Sequence, residues 1–253
     1  MTNKLKYFIG NWKMFGDLRS LKIIYQIHSF CARFKRRDKK NKIILCVPST
    51  LIYFFTTKLK SKFISIGAQN CHHHKTYGSF TGSVSALMLK KVGAKYIILG
   101  HSENRSEGDT SQLIKNKIES ALKQKLNIIF CIGETFKEKK GGKTFSVLRK
   151  QIRGSINKKY NLNMIIIAYE PIWSIGTGKI PEIQELKKIF IFIKNEFKKN
   201  FKTKMFPVVL YGGSVNDSNI KMFSSILEID GFLIGGASQS SKKFIDIIKN
   251  YYK

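Results

Sequence analysis

Short apolar runs recur along this chain, and each is followed by a stretch with helical spacing. The runs are Tyr7–Ile9, Ile43–Val47, Phe63–Gly67, Tyr96–Leu99, Asn127–Cys131, Ile165–Tyr169, Phe206–Leu210 and Gly231–Ile234. Most are apolar throughout rather than alternating, the pattern of strands buried on both faces in a parallel sheet. The stretches between them predict helices over Leu18–Phe34, Leu51–Leu59, Val84–Val92, Thr110–Lys125, Thr144–Lys158, Pro181–Lys198, Asp217–Phe223 and after Ser238. In the first, Leu21, Ile24, Ile27 and Cys31 share one face. Pro181 suits a first helical position, where no N–H is needed. Arg33–Lys42 reads as a basic connection. Strands alternating with helices demand right-handed parallel crossovers. No linker or composition break interrupts the pattern, so residues 1–253 are expected to form one α/β domain. Eight such units in 253 residues match the size of a (β/α)8 barrel. An open doubly wound sheet is the alternative, but it would carry a GxGxxG turn after the first strand, where this chain has Gly10-Asn11-Trp12-Lys13.

Polar residues follow the strand ends, on the face where barrels of this kind place their chemistry. The stretch Ile165–Lys179 is the most informative. A buried strand ends in Glu170, and Pro171 stiffens the exit. Ile172, Trp173 and Ile175 then lie on a loop that closes with Gly176-Thr177-Gly178. A solvated Glu before an ordinary turn is the simpler reading, but turns seldom carry Trp and Ile so densely. A base under a hinged lid accounts for all of these residues. Asn11 and Lys13 follow the first strand, and His101 and Glu103 the fourth. Ser214 sits in Tyr211-Gly212-Gly213-Ser214 after the seventh, and Gly235-Gly236 follows the eighth. Glycine turns after strands seven and eight let backbone N–H groups approach an anion closely. Alone, His101 reads as a structural histidine and Lys13 as a surface lysine; at strand ends shared with Glu170 they become an electrophile and a charge-stabilising group. His72-His73-His74 invites a metal reading. Adjacent histidines rarely face one ion, however, and no carboxylates accompany them, so no metal site is expected.

Charge constrains the partners. Lys and Arg number 46 against 16 acidic residues, a net charge of +30. That suits anionic substrates and weak polyanion binding. The lysines are dispersed, with no arginine-rich arm or RNA-binding aromatic signature, so no specific nucleic-acid partner is expected. Cys31, Cys46, Cys71 and Cys131 form no CxxC pair and read as reduced thiols. The N-terminus lacks a signal-peptide core, and no run approaches the roughly 18 apolar residues of a membrane span. A cytoplasmic protein without a membrane partner is expected.

Taken together, Gly10-Asn11-Trp12-Lys13-Met14, Gly67-Ala68-Gln69-Asn70, Phe80-Thr81-Gly82, Gly100-His101-Ser102-Glu103, Cys131-Ile132-Gly133-Glu134, Ala168-Tyr169-Glu170-Pro171-Ile172-Trp173, Ile175-Gly176-Thr177-Gly178-Lys179, Tyr211-Gly212-Gly213-Ser214-Val215 and Gly235-Gly236-Ala237-Ser238 resemble the triosephosphate isomerase family over the whole length. The resemblance implies a TIM barrel and the interconversion of D-glyceraldehyde 3-phosphate and dihydroxyacetone phosphate through an enediolate. It implies Glu170 as base, neutral His101 as electrophile and proton shuttle, and Lys13 and Asn11 as donors to the enediolate and phosphate. Glu103 would be a supporting acid beside Lys13 and His101. Backbone groups near Gly176, Ser214, Gly235 and Gly236 would hold the phosphate. It further implies a homodimer and no metal or redox cofactor. The chain departs from the family at Ser83, where Glu is common, at Asn104, where Arg is common, and at Asp109, in a slightly shortened segment where Glu is common. These bear on the subunit interface rather than on a catalytic group. The competing functions are another phosphate-binding barrel, isomerase or aldolase, and a non-catalytic polyanion-binding protein. An aldolase would need a Schiff-base lysine on an inner strand position or a metal site, and the sequence offers neither.

Overall fold

The computed structural model describes residues 5–34, 41–204 and 206–253. Its strands are β1 Lys6–Asn11, β2 Asn41–Cys46, β3 Ile64–Ala68, β4 Tyr96–Leu99, β5 Asn127–Ile132, β6 Ile165–Tyr169, β7 Val208–Tyr211 and β8 Gly231–Ile234. They pair in sequence order, every pair parallel, and β8 returns to β1 to close a barrel. The helices are α1 Leu21–Arg33, α2 Ser49–Lys58, α3 Ala86–Lys91, α4 Ser102–Ser106, α5 Ser111–Lys123, α6 Phe136–Lys140, α7 Thr144–Ser155, α8 Ile183–Phe201 and α9 Ser241–Tyr251. The protein is thus a single-domain (β/α)8 barrel, with only a 3-10 turn, Ile220–Ser225, between β7 and β8. Side chains cap several starts: Ser85 Oγ accepts from the Met88 N–H, and Thr135 and Glu138 cap each other reciprocally.

Two apolar layers explain why the strands read as unbroken apolar runs. On β5, Ile129 and Cys131 fill the barrel interior, while Ile128, Phe130 and Ile132 pack outward against the helices. The same period of two carries past the strand ends. Ile166 and Ala168 of β6 face inward, so Glu170 continues into the mouth; Ile9 of β1 does the same for Asn11. His101 breaks the pattern. Ile98 faces inward, which puts Gly100, not His101, in phase. Gly100 adopts φ +74, a turn that favours glycine, and this redirects His101 into the mouth.

Several boundaries differ from those the spacing predicts. Strand β7 starts at Val208 rather than Phe206, because Pro207 has no N–H for the ladder. Met205 lies outside the described residues, as do 35–40 of the basic connection. Pro181 does not open α8: Glu182 keeps an extended backbone (φ −59, ψ 145) and the helix starts at Ile183. The short helix predicted over Asp217–Phe223 is a 3-10 helix that starts later, at Ile220. Asn216 Oδ1 accepts from the Ser218 and Asn219 N–H groups, holding an Asx turn, and the 3-10 turn follows. Helices α4 and α6 are five residues each, too short for a 3.6-residue period to show.

Candidate active site

A cavity of about 260 Å³ opens at the C-terminal ends of the strands. Asn11, Lys13, His101, Glu170, Gly176, Ser214, Gly235 and Gly236 all line it; Glu103 stands behind Lys13 and His101.

Glu170 is buried. Its N–H donates to the Ile132 carbonyl at 2.7 Å, which fixes the backbone. Its Oε1 lies 3.5 Å from His101 Nε2, and its Oε2 is buried without a protein partner. Burial pushes the carboxyl above the usual carboxylate range, against the pull of His101, the Cys131 thiol and Lys13. A buried carboxylate oxygen with no protein hydrogen bond, lining a cavity, is placed to act as a base. His101 Nδ1 accepts the Glu103 N–H at 3.2 Å. An accepting nitrogen carries no proton, so the neutral ring's hydrogen is assigned to Nε2, on the side facing Glu170.

Lys13 stands at φ +56, a costly backbone for a residue with a Cβ. The turn is held from several sides. Lys13 N–H donates to Asn11 Oδ1 at 3.1 Å, and Gln69 Nε2 donates to the Lys13 carbonyl at 3.0 Å. Gln239 Nε2 reaches across from the 3-10 turn after β8 to the Trp12 carbonyl at 2.8 Å. The ammonium group meets Glu103 Oε1 at 2.5 Å. Arg105 ties the ends of β4 and β5, donating to the carbonyls of Gly100 (2.7 Å) and Cys131 (3.1 Å).

Glu134 anchors the segment that follows β6. Buried, it accepts Tyr169 Oη at 3.1 Å and the Trp173 indole N–H at 2.9 Å. Burial raises its carboxyl, and the Trp173 hydrogen bond is the largest opposing effect. Lys139 of α6 lies 4.0 Å over the Trp173 ring while pairing with Glu185 of α8. Sequence reasoning assigned no role to Gln69, Arg105, Glu134 or Gln239. Gln69 and Glu134 lay in strand-end motifs that could have flagged them; Gln239 and Arg105 carried no local signal.

Gly212 also matters through what it lacks. A Cβ there would stand 2.7 Å from Glu170 Cγ. Gly212→Ala is therefore expected to fold but to push the base aside, lowering kcat about a hundredfold, the scale of an ångström-sized misplacement. Unchanged kcat would show that Glu170 has slack to move.

Elsewhere, the His72, His73 and His74 rings gather around Phe80, with His72 4.3 Å and His74 5.2 Å from it, and do not converge on a point. Asp109 pairs with Lys117 at 2.7 Å, and Lys117 also donates to Asn70 Oδ1 at 3.0 Å. All four cysteines are free thiols; burial pushes Cys31 up to about 11 and Cys71 up to about 12. Among the described residues no helix is long and apolar enough to cross a membrane.

Comparison with known proteins places this geometry. A family model described as Triosephosphate isomerase matches residues 6–251. The triosephosphate isomerase of Dictyoglomus thermophilum is 37% identical over 253 residues, covering 97% of this chain and 99% of the relative. That of Yarrowia lipolytica is 38% identical over 247 residues, covering 96% and 98%. The crystal structure of triosephosphate isomerase from Bartonella henselae superposes with a TM-score of 0.88 at 34% identity, covering 98% of this chain and 99% of that one.

Proposed function

The chain belongs to the triosephosphate isomerase family, and from that premise we propose how its barrel mouth works. The enzyme interconverts D-glyceraldehyde 3-phosphate and dihydroxyacetone phosphate, a step of glycolysis. Glu170 removes a proton from the carbon beside the carbonyl and returns it to the neighbouring carbon. His101 donates through Nε2 to the carbonyl oxygen, stabilising the enediolate and moving protons between its oxygens. Lys13, with Asn11, offsets the negative charge of enediolate and phosphate. Glu103 holds the Lys13 ammonium and the His101 ring in place. Backbone groups around Gly176, Ser214, Gly235 and Gly236 receive the phosphate, and the lid excludes water while the enediolate exists. The observation that carries this is the buried Glu170 carboxyl, with Oε1 3.5 Å from His101 Nε2 and Oε2 without a protein partner, in a cavity walled by glycine turns. A coupled assay on the purified protein tests it: rapid isomerisation is expected, and an inactive protein defeats the reading. The reaction moves protons only, so the roles assigned call for no redox group. The free thiols agree with a reducing, cytoplasmic setting.

We also propose that the enzyme works as a homodimer. Met14, Phe15, Tyr77 and Phe80 expose large apolar side chains. Beside them a cleft of about 590 Å³, lined by Asn70, Cys71, His72, Ser83 and Lys117, offers a seat for a second copy's Cys71–Gly82 loop. Ser83 and Asn104 replace two residues that commonly pair across the family's interface. Losing both partners strands no charge, so the double change is close to neutral. Two subunits of +30 repel each other, and salt screens that repulsion beyond about 10 Å at 0.1 M. Association is therefore expected to tighten as salt rises. Sedimentation at low and high salt checks this. A fully active monomer at micromolar concentration in both would defeat the interface, and dissociation at high salt would show that ion pairs dominate it.

A further inference from the structure

The far end of the barrel carries a charge pattern of its own. All the strands are parallel, so every connection from a helix to the next strand lies at the N-terminal ends, away from the mouth. Lys60 and Lys62 lead into β3, Lys95 into β4, Lys125 into β5, and Lys202 and Lys204 into β7; all six are exposed. None of the six joins an ion pair among the described residues. The acidic residues described in these same connections are Glu228 and Asp230, and Asp230 is buried 2.8 Å from Lys194. At the mouth, by contrast, Glu103, Glu134, Glu170 and Glu182 all follow strand ends. Apolar side chains are exposed among the lysines. Leu5 precedes β1 and Phe63 precedes β3, while Phe206 before β7 and Leu227 before β8 are 54% and 66% exposed. Strands β7, β8, β1, β2 and β3 are consecutive in the closed ring, so these four share one arc of the rim. Lys62 lies 5.7 Å over the Phe63 ring and Lys198 4.9 Å over that of Phe206. Phe63 and Lys62 also line a recess of about 230 Å³ with Phe30, Phe34 and Lys42.

We propose that this end of the barrel docks on the surface of an anionic lipid membrane, with Lys60, Lys62, Lys202 and Lys204 on the headgroups and the exposed Phe and Leu side chains at the interface. The charges are complementary: each ammonium near an anionic leaflet adds attraction, and apolar side chains entering the headgroup layer add burial. Lysine stems lie along apolar surface while their heads stay in the polar layer. Nucleic acid fits this face less well. It asks for a groove that follows one backbone and for rings that stack on bases. Here the charges are spread around a rim, and two of the four apolar groups are leucines, which offer no stacking. The recess beside Phe63 suits an inserted acyl chain. Helix dipoles favour cations near helix C-termini, but they do not account for phenylalanine and leucine exposed beside them. A contact of this kind needs no membrane-spanning run. The lysines are dispersed along the chain and gather only when the barrel closes. The mouth points the other way, so a docked subunit keeps its active site open to solvent. The loop carrying Tyr77 and Phe80 follows β3 at the mouth end, so the surface assigned to a second copy is separate.

Binding of the full chain to vesicles decides the matter. Vesicles of phosphatidylglycerol and phosphatidylcholine in equal parts are compared with phosphatidylcholine alone, at about 0.1 M salt. The parent is expected to sediment with the mixed vesicles and to stay in solution with the neutral ones. The variant combining Lys60→Gln, Lys62→Gln, Lys202→Gln and Lys204→Gln should bind the mixed vesicles at least about a hundredfold more weakly, at roughly fivefold for each lysine. A second variant removes the same charge from the mouth side, where α8 and α9 begin: Lys187→Gln, Lys188→Gln, Lys242→Gln and Lys243→Gln. It should bind like the parent. All the lysines replaced are exposed, so the substitutions leave the core intact. Phe206→Ser with Leu227→Ser should weaken binding while keeping its dependence on salt. A parent that ignores the mixed vesicles would overturn the proposal. Equal losses in the two lysine variants would show that net charge, and not this face, does the binding. Poly(A) RNA bound at the same salt as tightly as the vesicles would make the face a nucleic-acid surface and equally overturn it.

Discussion

Glu170→Gln is expected to fold, to lose at least about a thousandfold in turnover, and to resist urea better than the parent chain at alkaline pH. The loss follows from chemistry: an amide at this position cannot take a proton from carbon. The gain in stability follows from burial. The folded carboxyl is held above the usual carboxylate range, chiefly by desolvation. Between the unfolded value and that raised folded value, the folded state keeps a proton that the unfolded chain releases. Its contribution is fully favourable below the ordinary glutamate range and is lost as pH rises through the folded value. Glutamine carries no such charge at any pH. The difference in urea midpoint between variant and parent should therefore widen from about pH 4 upward and then level off. Near-normal turnover would remove Glu170 as the base. A midpoint difference independent of pH would show that the burial cost is met elsewhere in the mouth.

Deleting Ile175–Thr177 should have the second large effect. The lid tip joins Ser174 to Lys179 above the cavity, and Ile175 and Gly176 line it. Without them water reaches the enediolate, and the intermediate is no longer held in a geometry that protects its C–O bond to phosphate. That bond breaks, its electron pair leaves with the phosphate, and the remaining enol becomes methylglyoxal. Turnover is expected to fall on the order of a thousandfold, asking the lid for about 4 kcal/mol of barrier. Methylglyoxal should become the main product. An unchanged rate together with an unchanged product ratio would mean that this stretch is not a lid.

Much of this was written locally. The apolar runs placed each strand, because a strand buried on both faces must be apolar at nearly every position. Their place at the ends of strands put Asn11 and Glu170 at the mouth, and the inward-facing layer of the barrel then accounts for their direction. Pro207 shows that even a missed boundary had a local cause, since a residue without an N–H cannot join the ladder. The glycine turns after β7 and β8 were legible for the same reason: a backbone that lines a cavity closely leaves a mark in composition.

The groups that hold those residues in place were legible at most as members of a motif, and nothing local showed what each one holds. Gln239 grips the Trp12 carbonyl across 227 positions, Gln69 the Lys13 carbonyl across 56, and Glu134 the Trp173 indole across 39. Each is an ordinary polar side chain in its own stretch. Gln239 and Glu134 acquire a task only when closing the ring sets β1 beside β8 and β5 beside β6, and Gln69 reaches the end of β1 from the end of β3. Ser174 is the sharpest case: in the sequence it is one serine in a loop, and in the fold its hydroxyl meets the Lys179 carbonyl, Tyr211 Oη and the Ser214 N–H. What the sequence alone determined was therefore periodicity and turn chemistry, which depend on neighbours along the chain. What only the tertiary structure decided was which donor meets which buried acceptor. Desolvation makes every such group need a partner, and barrel closure supplies it from the far end of the chain.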